Sequence, residues 1–381
     1  MKFLKLSMII VVALLGVTGV AAFFFLQHAV FGKHPSSVRL ERVKKSKQYR
    51  DGSFQNASET PMMTDDMSYW EAARKYFGSG DSVQREPPKP LPSTKTDLNT
   101  LVATADPAVP LLVWFGHSSY LLRIAGKTLL IDPVFSERAS PVSFAGSAAY
   151  PGTRIYAASD MPPLDAVIIT HDHYDHLDYE TILQLIPQTK HFHTSLGVGE
   201  HLEHWGVPAS AISEYDWWEE GVIADGIRIT AAPARHFSGR GIVRNSTLWS
   251  SFILKTQAHT LYLGGDSGYD THFATIGEKY GPFDLVILEC GQYNTGWKFI
   301  HLMPEEVVQA AQDLRAKALL PVHWGKFTLA LHAWDESIRR VTKAAQERGM
   351  PITTPRIGQV VPLESGNIEG LPREHWWETV K

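Results

Sequence analysis

The run Thr170-His171-Asp172-His173-Tyr174-Asp175-His176-Leu177-Asp178 constrains this chain more than any other segment. It sets His171, His173, Asp175 and His176 in an H-x-H-x-D-H pattern. The run follows Asp165-Ala166-Val167-Ile168-Ile169-Thr170, whose apolar β-branched residues read as a buried strand. Asp178 then stands as N-cap to a helix expected over Tyr179–Ile186 and stopped at Pro187. Strand, polar loop and helix in that order point to an α/β fold. In such folds ligands collect where strands end in loops.

Imidazoles and carboxylates are the side chains that hold zinc and similar transition metals. A lone His-x-His is more often a hydrogen-bonded surface pair, but Asp175 and His176 at fixed offsets weigh against that. Four donors from one loop on a single ion would leave no place for substrate. Shared between two ions, they leave each one open, so the run predicts half of a two-metal hydrolytic centre. Other strand-like runs end in candidates for the other half. His236 follows Gly226–Pro233, Asp266 follows Thr260–Gly265, and His323 follows Ala318–Val322.

These motifs in this order resemble the metallo-β-lactamase superfamily. Within it the chain is similar to the branch that hydrolyses N-acylphosphatidylethanolamine as a phospholipase D. The matching segments include Trp114-Phe115-Gly116-His117, Asp132-Pro133-Val134-Phe135-Ser136, His176-Leu177-Asp178-Tyr179, Gly281-Pro282-Phe283-Asp284 and His323-Trp324-Gly325-Lys326-Phe327. They lie between about Leu111 and Gly358. The resemblance implies a four-layer αββα sandwich. It also implies that His171, His173 and His236 hold one metal, that Asp175, His176 and His323 hold a second, and that Asp266 bridges them. Zn2+ is the expected ion, with Mn2+ or Fe2+ compatible with the same residues. Arg235, just before His236, and the stretch around Leu331-His332 depart from the branch pattern.

Asp175 is expected to help orient the nucleophile. His301, before a helix that Pro304 opens, is expected to protonate the leaving group. His117 and His332 read as supporting residues, and Trp217-Trp218 as cleft walls or core. The resulting expectation is a metal-dependent hydrolase, a membrane-anchored phosphodiesterase of the phospholipase D type acting on N-acylphosphatidylethanolamine-like lipids, with a lipid or small phosphodiester as its partner. A lactonase on a phosphorylated sugar acid is the second reading. A membrane-tethered module without turnover is the third, and the full set of candidate ligands weighs against it.

Composition narrows the partners. A net charge of −4 gives no reason to expect nucleic acid. Cys290 is the single cysteine, which excludes an intramolecular disulfide and a cysteine-rich metal site. The uncharged run Met8–Leu26 covers roughly 28 Å as a helix, close to a bilayer core. It is expected to be a transmembrane anchor, with a cleaved signal as the alternative. Lysines and arginines after the run favour a cytoplasmic catalytic part, while the short basic segment with Lys2 and Lys5 before it reads instead as a signal-anchor that exports the rest. The expected organisation is an anchor over 1–27, a polar strap over 28–110, a catalytic domain over 111–365 and a tail over 366–381. Within it, Thr64-Asp65-Asp66 is expected to cap a helix running through Phe77. Helices are also expected from Pro304 to about Lys317, and from Asp335 to Arg348 before Gly349.

Overall fold

Short β-branched runs separated by turns and helices build two facing sheets. The computed structural model describes residues 2–65, 67–78, 83–364 and 368–381. The chain begins with helix α1 (Lys2–Leu26), then α2 (Ser37–Val43), the hairpin β1 (Tyr49–Arg50) and β2 (Ser53–Phe54), and helices α3 (Tyr69–Phe77) and α4 (Leu98–Thr104). Next come β3 (Leu111–Trp114), β4 (Tyr120–Ile124), β5 (Lys127–Ile131), β6 (Ala166–Ile169), α5 (Tyr179–Leu185), β7 (Phe192–Ser195), α6 (Gly199–His204) and β8 (Ile212–Tyr215). The second half carries β9 (Glu220–Ala224), β10 (Ile227–Ala232), β11 (Ser251–Lys255), β12 (Thr260–Leu263), α7 (His272–Tyr280), β13 (Leu285–Glu289), α8 (Pro304–Asp313), β14 (Leu319–Val322) and α9 (Glu336–Glu347). Strand β15 (Val360–Pro362) returns to the first half.

One sheet has seven strands in the order β15-β3-β4-β5-β6-β7-β8, and the other has six in the order β14-β13-β12-β11-β10-β9. Residues alternate between faces along the first sheet. Leu112, Trp114, Leu122, Leu129, Ile131, Ala166 and Ile168 join the core shared with Ile229, Phe252, Leu254 and Leu263 of the second sheet. Val113, Leu121, Leu130, Val167 and Ile169 point the other way, into a core with Leu98, Ile182, Leu185 and Leu202 from α4, α5 and α6. On the far side α8 packs on β13 and β14, and α7 and α9 pack on α8. The result is the expected αββα layering. Each fully buried Leu, Ile or Val in these layers contributes about 1.5–3 kcal/mol.

Strand direction places the site. β5 to β8 run parallel in the first sheet, and β12 to β14 in the second. β3 lies two antiparallel steps from β5, and β10 two from β12. All of these strands therefore share a direction within their sheet, and their carboxyl ends meet at one edge.

Several local expectations change. Helix α3 starts at Ser68, whose hydroxyl and the Glu71 carboxylate form a reciprocal capping box, so Thr64 and Asp65 do not cap it. Asp66 lies outside the described residues. Helix α8 stops at Asp313 rather than near Lys317, because Arg315 takes a positive φ and Ala316 bridges to Phe283. Asp178 precedes α5 but caps no backbone N–H of that helix; its carboxylate accepts instead from Ser136 and from Thr181 Oγ1.

Among the described residues no helix is long and apolar enough to cross a membrane. The expected transmembrane anchor is thus not supported. The described apolar side chains of α1 are nonetheless exposed, Val17 at 69% and Phe24 at 68% among them.

Candidate metal centre

His171, His173 and His236 bring three imidazole nitrogens together. His171 Nε2 lies 2.9 Å from His173 Nδ1, and His236 Nε2 lies 3.2 Å from the same atom. A second group lies beside them. Asp175 Oδ2 is 2.9 Å from His117 Nε2, 3.2 Å from His323 Nε2 and 3.7 Å from His176 Nε2. Asp266 stands between the groups. Its Oδ1 is 3.2 Å from His176 Nε2, and its Oδ2 is 3.2 Å from His323 Nε2, 3.7 Å from His236 Nε2 and 4.0 Å from His171 Nε2. The seven residues singled out in the sequence therefore converge, and the structure adds His117 as an eighth.

Several of the rings are held from behind. His176 Nδ1 lies 2.8 Å from Asp132 Oδ2, and that carboxylate also accepts from Thr170 N and Thr170 Oγ1. His236 Nδ1 donates to Ile300 O at 2.8 Å. Glu289, at the end of β13, is 1% exposed and reaches both His301 Nδ1 at 2.8 Å and His323 Nδ1 at 3.4 Å. Such partners fix ring orientation and tautomer. Asp172, inside the histidine run, faces away from the site. It ties the loop to Gly239 N, Thr247 Oγ1 and His201 Nε2.

The loops are drawn tight. His117, Asp132 and His323 take positive φ of 53°, 41° and 66°. Non-glycine residues there cost about 1–3 kcal/mol each, a strain that collects at functional sites. His117 N donates to Trp324 O and His323 N to His117 O, both at 2.9 Å, so the two strained loops brace each other across the sheets. Gly265 has a φ of 61°, and a Cβ there would meet Thr170 Cβ at 2.9 Å. The residue before Asp266 thus has to be small where the two sheet edges touch.

Two observations fit a divalent cation. His176 Nε2 and Asp266 Oδ1 are buried without a hydrogen-bond partner although they face each other. The charges also call for one. Burial disfavours the imidazolium of His323, yet Asp266, Asp175 and Glu289 hold its pKa up at about 10. Burial likewise opposes protonation of His176, which Asp266, Asp175 and Asp132 nevertheless raise well above the usual range. By contrast, burial and neighbouring imidazoles push His171 well below it. The acidic side of the site attracts positive charge, and the imidazoles opposite offer lone pairs. These His and Asp clusters suit divalent metal ions.

A cavity of about 300 Å³ opens on the cluster. Its floor includes His173, Asp175, Asp266, His301 and His323. Met62, Met63, Phe237, Trp297, Ile300 and Leu329 form much of its wall, and Arg244 stands at its rim. The Arg244 guanidinium lies 5.4 Å from the Phe237 ring centroid, and among the described residues no carboxylate pairs with it. Trp217 and Trp218 do not line this cavity. Trp217 donates to Trp249 O in a buried cluster, and Trp218 stacks on Tyr280. His332 accepts from Gln292 N and stacks on Tyr293, away from the metal-facing atoms.

Glu289 had no signal in the sequence beyond closing a strand, and His117 carried only a short motif. A family model described as a beta-lactamase superfamily domain matches residues 127–324. An uncharacterized protein of Mycobacterium tuberculosis is 39% identical over 359 residues, 92% of this chain and 92% of that protein. An N-acyl-phosphatidylethanolamine-hydrolyzing phospholipase D of Caenorhabditis elegans is 36% identical over 231 residues, 57% of this chain and 64% of that enzyme. A metallo hydrolase from the archaeon Ignicoccus hospitalis superposes with a TM-score of 0.51 at 21% identity, covering 67% of this chain and 98% of the other, a likeness of fold.

Proposed function

The chain belongs to the β-lactamase superfamily and is a metal-dependent hydrolase, and from that premise we propose a phosphodiesterase of the phospholipase D type. Its substrate on this reading is an N-acylphosphatidylethanolamine-like lipid, the class named for the Caenorhabditis elegans relative. The observation that carries the proposal is the juxtaposition of two ligand clusters sharing Asp266 with a cavity walled by apolar side chains and rimmed by Arg244.

His171, His173 and His236 are proposed to hold one ion. Asp175, His176 and His323 would hold the other, with Asp266 within reach of both groups. Zn2+ is the favoured ion. A bound pair supplies Lewis acidity and lowers the pKa of water toward ~7. The side chains do the rest. Arg244 meets the anionic phosphodiester at the rim, where a guanidinium pairs with phosphate oxygens. Met62, Met63, Trp297 and Leu329 take the acyl part and exclude water. Asp175 fixes the direction of the attacking oxygen. His301, braced by Glu289 through Nδ1, gives a proton to the leaving alkoxide. Lipid also suits the exposed apolar side chains of α1, which on this reading rest against a membrane with the catalytic part on the cytoplasmic side.

The test is hydrolysis of N-acylphosphatidylethanolamine in mixed micelles containing ¹⁸O-water. Release of N-acylethanolamine, with label in the phosphatidic acid, is the expected result. Metal-loaded protein that cleaves no phosphodiester but opens a lactone would move the assignment to the lactonase reading.

A further inference from the structure

Part of the N-terminal extension runs across the proposed centre. Phe54 N donates to Asn245 O, in the loop between β10 and β11, and Thr64 N donates to Gly296 O, each at 2.8 Å. Between these ties Met62 and Met63 line the cavity, and Thr60 Oγ1 accepts from Arg235 Nε at 2.9 Å. Asn56 makes the closest connection. Its Nδ2 donates to His236 O at 2.8 Å, and its Oδ1 accepts from His236 N at 3.1 Å. The same Oδ1 accepts from Trp249 Nε1 at 3.0 Å.

A carboxamide that closes both bonds on one residue acts as a strand partner does. The N–H belongs to the peptide before His236 and the C=O to the peptide after it. Both flanking planes are therefore fixed, and the ring is fixed in turn by Nδ1 on Ile300 O. Nothing else of His236 is left to turn except to break one of these bonds. We propose that Asn56 is a positioning residue for His236, and that the N-terminal extension is thereby a working part of the centre formed with His171 and His173. The inference rests on the reading of those three histidines as ligands. Asn56 itself touches neither metal nor substrate.

Metal affinity separates this role from general stability. The full-length chain, stripped with a chelator, is titrated with Zn2+ in competition with a chromophoric chelator. The unsubstituted protein should show two sites. Asn56→Ala should weaken one of them by about 10–100-fold, the usual effect of removing a partner that orients a ligand, and leave the other as it was. Asn56→Asp keeps the shape and the acceptor but sets a carboxylate against His236 O. It should show the same selective loss, and it serves if the alanine variant does not fold. Gln55→Ala removes a neighbouring side chain that, among the described residues, bonds only Arg50 O, and both affinities should survive it. Unchanged affinities in folded Asn56→Ala or Asn56→Asp, equal weakening of both sites, or the same loss in Gln55→Ala would each overturn the proposal. An unsubstituted protein that takes up no metal defeats the two-metal reading itself, and that result precedes any variant.

Discussion

The two histidine clusters are aimed by different means. Behind His171 and His236 stand neutral groups, the Thr170 hydroxyl, the Ile300 carbonyl and the Asn56 amide. Behind His176 and His323 stand buried carboxylates, Asp132 and Glu289. Their basicities also differ. His171 and His236 fall well below the ordinary imidazole range through burial, whereas His176 and His323 are lifted above it against burial by Asp266 and Asp175 first, with Asp132 and Glu289 adding to them. One half of the centre is therefore a geometric device, set by backbone and by the extension. The other is an electrostatic one, set by charge packed into the sheet ends. Asp266 belongs to both, and variants that respect or cross this division test it.

The largest effect is expected where the two halves join. Asp266→Ala removes the one carboxylate that, among the described residues, reaches histidines of both clusters. It should lower metal content at both sites and reduce kcat on the order of 10³-fold, as removal of a central charge-stabilising group does. Atomic emission and turnover measured together check it; full loading with one site untouched would show that the halves are independent.

His301→Ala should cost ~10²–10⁴-fold on a phosphodiester with an alkoxide leaving group, the range of a general acid. A nitrophenyl ester, which needs little protonation, should lose far less, and both metals should remain bound. Equal losses on the two substrates would return His301 to a supporting role.

Asp132→Asn should mirror the Asn56 substitution. By removing the carboxylate behind His176 it should weaken the other metal site by about 10–100-fold. A competition titration that found the His171 side weakened instead would dissolve the distinction drawn above.

An effect on stability, not on turnover or metal affinity, concerns Lys326, whose buried amine donates to Val134 O at 2.7 Å, next to the Asp132 loop. Burial brings its pKa down to about 7 from the ordinary 10.5 of a lysine. Between these values the unfolded chain holds a proton that the folded chain lacks. Stability should therefore rise with pH across that window and level off below about 7. Denaturant melts of Lys326→Met should lose this slope. A wild-type curve flat from pH 7 to 10 would show that the amine stays charged.

Much of this centre was legible because each proposed ligand follows an apolar run that could only be a strand. Val167-Ile168-Ile169 before His171 and Leu319-Leu320-Pro321-Val322 before His323 are such runs, and in a sheet with shared direction their ends have to meet. The orienting groups carried no comparable mark. Glu289 closes a strand as many glutamates do, and Asn56 lies 180 residues from the ring it holds, in a segment whose composition suggested only a covering strap. Cap chemistry misled at α3, where Thr64 and Asp65 looked suitable but Ser68 with Glu71 closes a reciprocal box. The expected span over Met8–Leu26 rested on composition, and among the described residues no helix is long and apolar enough to cross a membrane.

The buried pair of His176 Nε2 and Asp266 Oδ1, each without a hydrogen-bond partner, bears on how the protein is made. His171 to His176 leave the ribosome early, Asp266 some ninety residues later and His323 last. No sheet edge can gather the set until β14 has been synthesised and docked. A chain finished in a metal-poor cell has to bury those polar atoms unmatched, at a cost of about 1–3 kcal/mol for each one left without a partner. Metal supply during translation would then govern how much of the protein survives quality control, before it governs how much of it is active.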